Sequence, residues 1–335
     1  MANKLKIVMT TWHTPHQYDL MSALKDDADF FVIENMNKHW LGRPLPENAK
    51  MIPFYEKGKY DLAILNIDQQ CVNTGIYKSK VLPQIQSTIR DIPIIIINHG
   101  SPVYPEFLQQ HSMSAKDAEN VCKKKIKEIV GDRVMVVNSY TGATDKEWGW
   151  GYPIIHGMNP EIWKPAPIKE PWIITSLSPA GCDEYYNRAM MVEVGNILKR
   201  KYGHELQWAR VSDNCVFDSH EAYAEWMGKA AIYLDTSVRT PMNRARTEAM
   251  LSECAVVQVS GAHDIDRFFK DKENIFLVEN GDPEKMADFV YDLIENHWDE
   301  VIQVGKNARQ NAIKHFNYSR YRKDWLTLLN KVLYK

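Results

Sequence analysis

Short apolar runs alternate with helical patterns through the first half of the chain. The run at residues 92–98 is almost entirely β-branched, which is typical of a central strand buried on both faces of a parallel sheet. Thr14 is placed to cap the first helix, with Pro15 at its first position. Strands separated by helices predict a doubly wound parallel sheet. The predicted strands are 5–9, 30–34, 60–66, 92–98 and 134–138, and the predicted helices are 15–24 and 115–130.

A proline-rich segment at residues 157–171 interrupts this alternation, which then restarts. Two α/β units joined in this way predict two domains, 1–160 and 161–318, followed by a helical segment at 319–335. Open parallel sheets bind ligands beyond the carboxyl ends of their strands, so we expect a ligand-binding cleft between the domains. The second half predicts strands at 172–177, 205–211, 230–235, 256–259 and 275–278, and helices at 188–202, 219–227, 246–253, 283–296, 298–315 and 320–333.

Composition narrows the class of protein. The chain has 335 residues, of which 44% are hydrophobic and 25% are charged, as in ordinary soluble globular proteins. Its net charge of −2 provides no global basic field that would attract nucleic acid or an anionic membrane. The longest apolar run, at 92–97, is too short to span a bilayer, and the N-terminus has no signal-peptide pattern. Any membrane contact is therefore expected to be peripheral.

The distribution of the cysteines and the absence of several known sequence motifs exclude further classes of protein. The five cysteines, at 71, 122, 182, 215 and 254, are widely spread and form no C-x-x-C pair, which favours reduced thiols and a cytoplasmic protein. No histidine or cysteine cluster has metal-ligand spacing, so we expect no metal site. The glycine motifs of dinucleotide-binding proteins, P-loop proteins and α/β-hydrolases are absent, and no organic cofactor is expected.

The most informative segment is residues 240–251, where a loop with Arg244 and Arg246 leads into the helix predicted at 246–253. A helix N-terminus carries unpaired N–H groups and a partial positive charge, and two guanidinium groups beside it would bind a phosphate or diphosphate. Glu248 would then accept hydrogen bonds from sugar hydroxyls. The segment therefore predicts a pocket for a sugar linked to a diphosphate. A solvated helix cap, with both arginines pairing surface acids, is the alternative interpretation.

Histidines lie at two strand-to-helix turns of the first domain. His99 comes directly after the strand at 92–98, where the carboxyl end of a parallel strand favours contact with a ligand. His13 and His16 flank Pro15 at the other turn, and Asp68 follows the strand at 60–66. We expect a functional role for His99. An alternative stays open for His13, His16 and Asp68, in which they are loop residues that contact only water or the backbone.

Four segments follow one another in an order and spacing that resemble a known family. They are I-I-H-G-M-N-P-E-I-W-K-P at 154–165, T-E-A-M at 247–250, N-G-D-P-E-K-M-A at 280–287, and G-K-N-A-R at 305–309 followed by F-N-Y at 316–318. Each motif is weak alone. Together they resemble the retaining GT-B glycosyltransferases, of the family 4-like group known as glycosyl transferases group 1.

The resemblance implies a GT-B fold, an α/β architecture of two Rossmann-like domains facing a central cleft, with the C-terminal helix packing back on the first domain. It implies transfer of a sugar from a nucleotide-diphosphate sugar, with UDP favoured over GDP, to an acceptor hydroxyl with retention of configuration. A glycan or glycolipid is the first acceptor expected, and a modified nucleic-acid base is an alternative. No metal is implied, because cationic side chains would neutralise the diphosphate.

The same resemblance implies roles for individual residues. Glu248 would bind the ribose, and His99 would contact the transferring sugar. Cations for the diphosphate would come from Arg188, Arg244 and Arg246. The acceptor side would include His13, His16 and Asp68, and further donor-binding candidates are Thr240, Met242, Asn243, Thr247, Phe217 and Ser178.

The chain also departs from the family pattern. The family's first glutamate lies eight positions before the second, where this chain has Thr240. Its usual arginine and lysine after the first strand of the second domain are also missing, and Arg188 is the nearest cation. These departures leave two alternatives open, a nucleotide-sugar epimerase or hydrolase and a non-catalytic nucleotide-sugar-binding protein.

Overall fold

The structure, a computed structural model, describes residues 4–33, 43–103, 113–177, 183–211, 214–240 and 242–334. The chain divides into two compact units. Unit 1 comprises Met1–Gly157 and Tyr318–Lys335, and unit 2 comprises Met158–Asn317. Each unit contains its own parallel sheet.

The sheet of unit 1 is parallel throughout. Within the described ranges its strands are β1 (Leu5–Thr10), β2 (Ala28–Ile33), β3 (Ala49–Ile52), β4 (Leu62–Ile67), β5 (Ile94–Asn98), β6 (Val134–Val137) and β7 (Tyr152–Pro153). Their order is β3-β2-β1-β4-β5-β6-β7. The doubly wound parallel sheet expected from the sequence is confirmed. The sequence pattern does not predict β3 and β7, because both are short edge strands without a continuous buried run.

Helices cover both faces of this sheet. Within the described ranges they are α1 (Thr14–Ala23), α2 (Lys78–Thr88), α3 (Ala115–Val130) and α11 (Tyr318–Leu333). Alternate residues of β5 face opposite ways: Ile96 packs in the core shared with α2 and α3, and Ile95 in the core shared with α1 and α11.

Thr14 is the first residue of α1 and does not cap it. His13 precedes the helix and makes no side-chain cap hydrogen bond, so the expected Thr14 cap was wrong.

The C-terminal helix α11 packs against α1 of unit 1, as expected from the sequence. At its first turn the Tyr318 hydroxyl donates to Asp19 Oδ1 at 2.5 Å. Further along, the guanidinium of Arg320 donates to the carbonyl oxygens of Ile155 (2.8 Å) and His156 (2.6 Å). These bonds hold the returning helix at the segment that follows β7.

Replacing Tyr318 with phenylalanine should destabilise unit 1 by about 1–3 kcal/mol, because the buried Asp19 carboxylate loses a donor. Burial and the neighbouring Asp19 carboxylate hold the pKa of Tyr318 well above its usual value. A raised folded-state pKa stabilises the protein below the unfolded pKa, about 10, and this stabilisation is lost as the pH rises above it. Urea unfolding at about pH 7 and about pH 11 should therefore show a smaller difference between wild type and variant at the higher pH.

Tyr334→Phe is the matched control, since that side chain is 79% exposed and directly follows the end of the same helix. It should unfold like the wild type at both pH values. Equal stability of Tyr318→Phe and wild type at neutral pH would show that the Tyr318–Asp19 bond does not hold α11 in place.

Unit 2 has a second parallel sheet, in the order β14-β13-β12-β8-β9, and a small antiparallel pair. Within the described ranges the strands are β8 (Glu170–Thr175), β9 (Leu206–Trp208), β10 (Arg210–Val211), β11 (Asn214–Cys215), β12 (Ala230–Asp235), β13 (Ala255–Val259) and β14 (Phe276–Val278). The helices are α4 (Asp183–Tyr186), α5 (Arg188–Ile197), α6 (His220–Lys229), α7 (Arg244–Leu251), α8 (Ile265–Phe268), α9 (Pro283–Asn296) and α10 (Trp298–His315).

Several element boundaries in unit 2 differ from those expected, and the strand expected at 205–211 is divided into β9 and β10. The predicted helix at 188–202 is α-helical only to Ile197 and continues as a π-helical turn over Leu198–Tyr202. Helix α7 begins at Arg244, two residues before the predicted start, so Glu248 lies in its second turn. None of the helices in the described ranges has the length and apolar character of a membrane span.

Candidate functional site

A buried carboxylate holds the segment between β12 and α7. Asp235, the last residue of β12, accepts hydrogen bonds from the backbone N–H of Ser237 (2.9 Å) and from Asn243 Nδ2 (2.8 Å). Asn243 Oδ1 accepts from the N–H of Ala245 at 3.0 Å and so caps α7. Burial raises the pKa of Asp235 above its ordinary value. The Asp235 carboxylate thus holds both the start of the segment, at Ser237, and its end, at Asn243, near the carboxyl edge of the sheet.

Arg246 lies beneath this segment and not on its surface. The residue is 1% exposed, and its Nη1 donates to Gln258 Oε1 at 3.2 Å. Its guanidinium carbon lies 5.0 Å from the ring centre of Phe269, and Nη2 lies 3.3 Å from the sulfur of Met242. Gln258 in turn donates to the carbonyl oxygen of Ser237 at 2.9 Å. The structure therefore places Arg246 among protein groups that support the loop, whereas the sequence analysis assigned it to a diphosphate.

Arg244 and Glu248 form an ion pair on the first two turns of α7. Arg244 Nη2 lies 3.6 Å from Glu248 Oε1, with side chains that are 10% and 6% exposed. The hydroxyl of Tyr223, on α6, donates to the other carboxylate oxygen, Oε2, at 3.4 Å. Thr247 is buried and its hydroxyl donates back to the carbonyl oxygen of Asn243 at 3.4 Å. The surface-cap alternative does not fit these buried side chains, because a solvated cap would leave them in water.

The structure describes four of the other donor-side candidates, which are Arg188, Thr240, Met242 and Phe217. Arg188 is half-buried and opens α5, directly after Asn187, whose φ of 48° is left-handed. The Thr236 hydroxyl donates to the carbonyl oxygen of Tyr186 at 2.7 Å and so ties the segment after β12 to the start of α5. Thr240 and Met242 are buried. The ring centre of Phe217 lies 5.6 Å from that of Tyr223 and 5.0 Å from that of Trp226. Ser178 lies outside the described residues.

In unit 1, histidine rings gather at the carboxyl ends of the strands. His99 follows β5, and its ring centre lies 5.3 Å from that of His13 and 5.0 Å from that of His16. His13 and His16 are 4.6 Å apart. A fourth ring, that of the buried His156, lies 6.2 Å from His16. The sequence analysis did not select His156 as a site residue, although it lies in the segment 154–165 that carries a family-like motif.

Two asparagines orient the His99 ring. Asn66 Nδ2 donates to the carbonyl oxygen of Thr10 at 3.3 Å, which leaves its Oδ1 to accept from His99 Nε2 at 2.9 Å. Asn138 Nδ2 donates to His99 Nδ1 at 3.4 Å. The arrangement selects the neutral imidazole with its proton on Nε2. Sequence reasoning missed both partners, and the signal that could have found them is their position at the carboxyl ends of β4 and β6.

Asp68 has a local role. Its Oδ1 accepts from the backbone N–H of Gln70 at 2.9 Å and caps the 3₁₀ turn Gln69–Val72, and its Oδ2 pairs with Lys78 Nζ at 2.5 Å. The structure therefore does not bring Asp68 into the histidine cluster by any contact that it records. Among the described residues, no group of histidine, cysteine or acidic side chains has the arrangement of a metal site.

Sequence comparisons match part of the chain. Residues 173–296, most of unit 2, match the family model described as Glycosyl transferases group 1. A curated relative, the poly(ribitol-phosphate) alpha-N-acetylglucosaminyltransferase of Staphylococcus aureus (strain COL), is 29% identical over 101 residues, which are 30% of this chain. The match spans only 20% of that relative's length.

Structural comparisons cover the chain more fully. HepE from Anabaena, solved in complex with UDP and glucose, has a TM-score of 0.67 at 13% identity and covers 98% of this chain and 100% of its own. Sucrose-phosphate synthase from Thermosynechococcus elongatus has a TM-score of 0.64 at 14% identity, with coverage of 98% and 99%. S. aureus TarM, solved with fondaparinux, alpha-GlcNAc-glycerol and UDP, has a TM-score of 0.55 at 16% identity, with coverage of 80% and 55%. These likenesses show the GT-B fold, and with the family match they support a glycosyltransferase.

Proposed function

We propose that this protein transfers a sugar from a UDP-sugar to an acceptor hydroxyl with retention of configuration. The observation that carries the proposal is the position of Arg244 and Glu248. The pair lies at the start of α7, beside the carboxyl edge of a parallel sheet, inside the segment that matches the family model. The choice of UDP is supported by the complexes of HepE and TarM, both of which contain UDP.

On the donor side, Glu248 accepts hydrogen bonds from the ribose hydroxyls, and Phe217 contacts the base. Arg244 and Arg188, with the N-terminus of α7, bind the diphosphate. Arg246 acts indirectly, since its buried guanidinium supports the loop that ends at Met242 and Asn243. Thr240 and Thr247 complete the donor site that we propose among the described residues, and the role expected for Ser178 stays a prediction.

The transfer step separates a sugar with oxocarbenium-ion character from a diphosphate whose charge grows. The enzyme must stabilise that charge and hold the acceptor hydroxyl in position. Two arginines meet the first requirement, so the proposed reaction needs no metal ion. His99 contacts the transferring sugar through a ring that Asn66 and Asn138 orient, and His13 and His16 lie on the acceptor side.

For the acceptor we propose a hydroxyl of a glycan, a glycolipid or a polyol chain. Support for this class of acceptor comes from two proteins to which the chain is similar. The S. aureus enzyme acts on poly(ribitol-phosphate), and the TarM structure contains alpha-GlcNAc-glycerol. A nucleic-acid acceptor has no support from the net charge of −2. The reduced thiols expected from cysteine usage are consistent with a cytoplasmic reaction.

Incubation with a panel of UDP-sugars, with and without glycan and polyol acceptors, tests the proposal. We expect UDP release that depends on the acceptor, a glycoside with the anomeric configuration of the donor, and activity that survives excess EDTA. Turnover without acceptor would indicate a hydrolase or epimerase. Binding of a UDP-sugar without turnover would indicate a non-catalytic binding protein, and loss of activity with EDTA would indicate a metal requirement.

Arg244→Ala should raise the Kd for UDP about tenfold or more and the Kd for uridine by a smaller factor, because it removes bonds to the diphosphate together with one of the contacts that hold Glu248. Turnover should fall as well, since leaving-group charge grows in the transition state. Calorimetry with both ligands measures the difference. Arg200→Ala, an exposed arginine on the π-helical turn, is the control and should behave like the wild type. Equal losses for UDP and uridine would remove Arg244 from the diphosphate site.

A further inference from the structure

A chain of three hydroxyl groups leads through the interior of unit 2 to the Glu248 carboxylate. Tyr233, a fully buried residue of β12, shares a 2.9 Å hydrogen bond with the Ser176 hydroxyl just beyond β8. The Ser176 hydroxyl also lies near that of Tyr223, on α6, where it lowers the pKa of the phenol against the larger effect of burial. The Tyr223 hydroxyl in turn lies 3.4 Å from Glu248 Oε2. Four elements, β12, the end of β8, α6 and α7, therefore meet in one network.

The direction of donation in this network follows from its last member. An ionised carboxylate only accepts, so the Tyr223 hydroxyl donates to Glu248. The Tyr223 oxygen then faces the Ser176 hydroxyl, which shares its own hydrogen bond with Tyr233. Burial, with the charge of Glu248, raises the pKa of Tyr223, so that its phenol keeps the proton it donates.

The Glu248 carboxylate is thereby held from two sides. Tyr223 donates to Oε2, and Arg244 Nη2 lies 3.6 Å from Oε1. A carboxylate held in this way keeps one orientation, which a freely rotating carboxylate would not do.

We propose that Tyr223 is a positioning residue, which orients Glu248 so that its carboxylate discriminates a ribose diol from a sugar without those hydroxyls. The inference rests on the proposed function, since it takes UDP as the ligand of this site. Tyr223 does not touch the ribose itself and acts through Glu248. Its loss should therefore affect only ligands whose ribose hydroxyls reach the carboxylate.

Calorimetry of Tyr223→Phe with UDP and with 2′,3′-dideoxy-UDP tests this. For the wild type, UDP should bind more tightly than the dideoxy analogue. In the variant the Kd for UDP should rise about three- to tenfold, whereas the Kd for the dideoxy analogue should not change. Ser176→Ala keeps the Tyr223–Glu248 bond and removes only its support, so it should show a smaller loss in the same direction. Tyr291→Phe, whose ring stacks 4.0 Å from that of Tyr202 elsewhere in unit 2, is the control and should match the wild type.

Each outcome separates the inference from the function on which it rests. If the wild type binds UDP and Tyr223→Phe binds it equally well, the positioning role is overturned and the proposed function stands. If the variant loses affinity equally for both ligands, Tyr223 has a merely structural role and the inference is again overturned. If the wild type binds no UDP, the proposed donor and this inference both fail.

Discussion

Glu248→Ala should raise the Kd for UDP about ten- to hundredfold, the largest effect on binding that we expect. A hydrogen bond to a charged group contributes about 1.5–3 kcal/mol, and the proposed ribose loses its only charged acceptor. The substitution also removes the partner of Arg244, whose guanidinium lies 3.6 Å from the carboxylate in a largely buried position. Calorimetry with UDP measures the loss without the complication of turnover.

The matched control for this variant is Glu225→Ala, on α6 of the same unit. Glu225 pairs with Lys229 at 2.7 Å at the surface, and its side chain is 70% exposed. It should bind UDP like the wild type. A Kd for UDP that is unchanged in Glu248→Ala would refute the ribose assignment and would leave Glu248 as a buried partner of Arg244 and Tyr223.

His99→Ala should lower kcat about a hundredfold while the Kd for UDP stays nearly constant. The residues that we propose for the nucleotide all belong to unit 2, whereas His99 follows β5 in unit 1. An interaction that strengthens mainly in the transition state affects kcat and not ground-state binding. Asn66 and Asn138 hold the ring in one orientation through its two nitrogens, so a hydrogen bond from the ring to the sugar would replace one of these contacts.

A structural histidine would respond differently. Its replacement would lower the melting temperature and leave kcat of the folded fraction unchanged. Measuring kcat, UDP affinity and thermal stability on one preparation separates the two roles, with His297→Ala as the control because that side chain is 49% exposed in unit 2. Loss of stability with normal kcat would assign His99 to the fold.

Elements with a strong local pattern were predicted well. The β-branched residues of β5 predict a central strand, because a strand covered by helices on both faces has no polar side. Helix α3 begins and ends where the sequence indicates, since Ser114 caps it with a bond from the N–H of Asp117 and Gly131 follows it. The short edge strand β3 carries no such signal and was missed.

The candidate site stays a prediction, and the structure shows how its residues are held. Arg244 and Glu248 were chosen from one short segment, and the structure pairs them on adjacent turns of one helix. The start of that helix was misplaced by two residues, because its cap, Asn243, is held by Asp235 from the preceding strand. Arg246 has the same charge and nearly the same position in the chain as Arg244, yet it points into the core against Gln258 and Phe269.

Periodicity and capping depend on residues that are neighbours in the chain, so the sequence alone was sufficient for the alternating α/β elements and for the choice of the segment around Glu248. Contacts between distant residues depend on how the strands are ordered and which way each side chain points. Only the tertiary structure could therefore bring Tyr223 to Glu248, bury Arg246, and gather His13, His16, His99 and His156 at one edge of a sheet. The physical reason is that the parallel order of the strands aligns their carboxyl ends, so side chains far apart in sequence become neighbours in space.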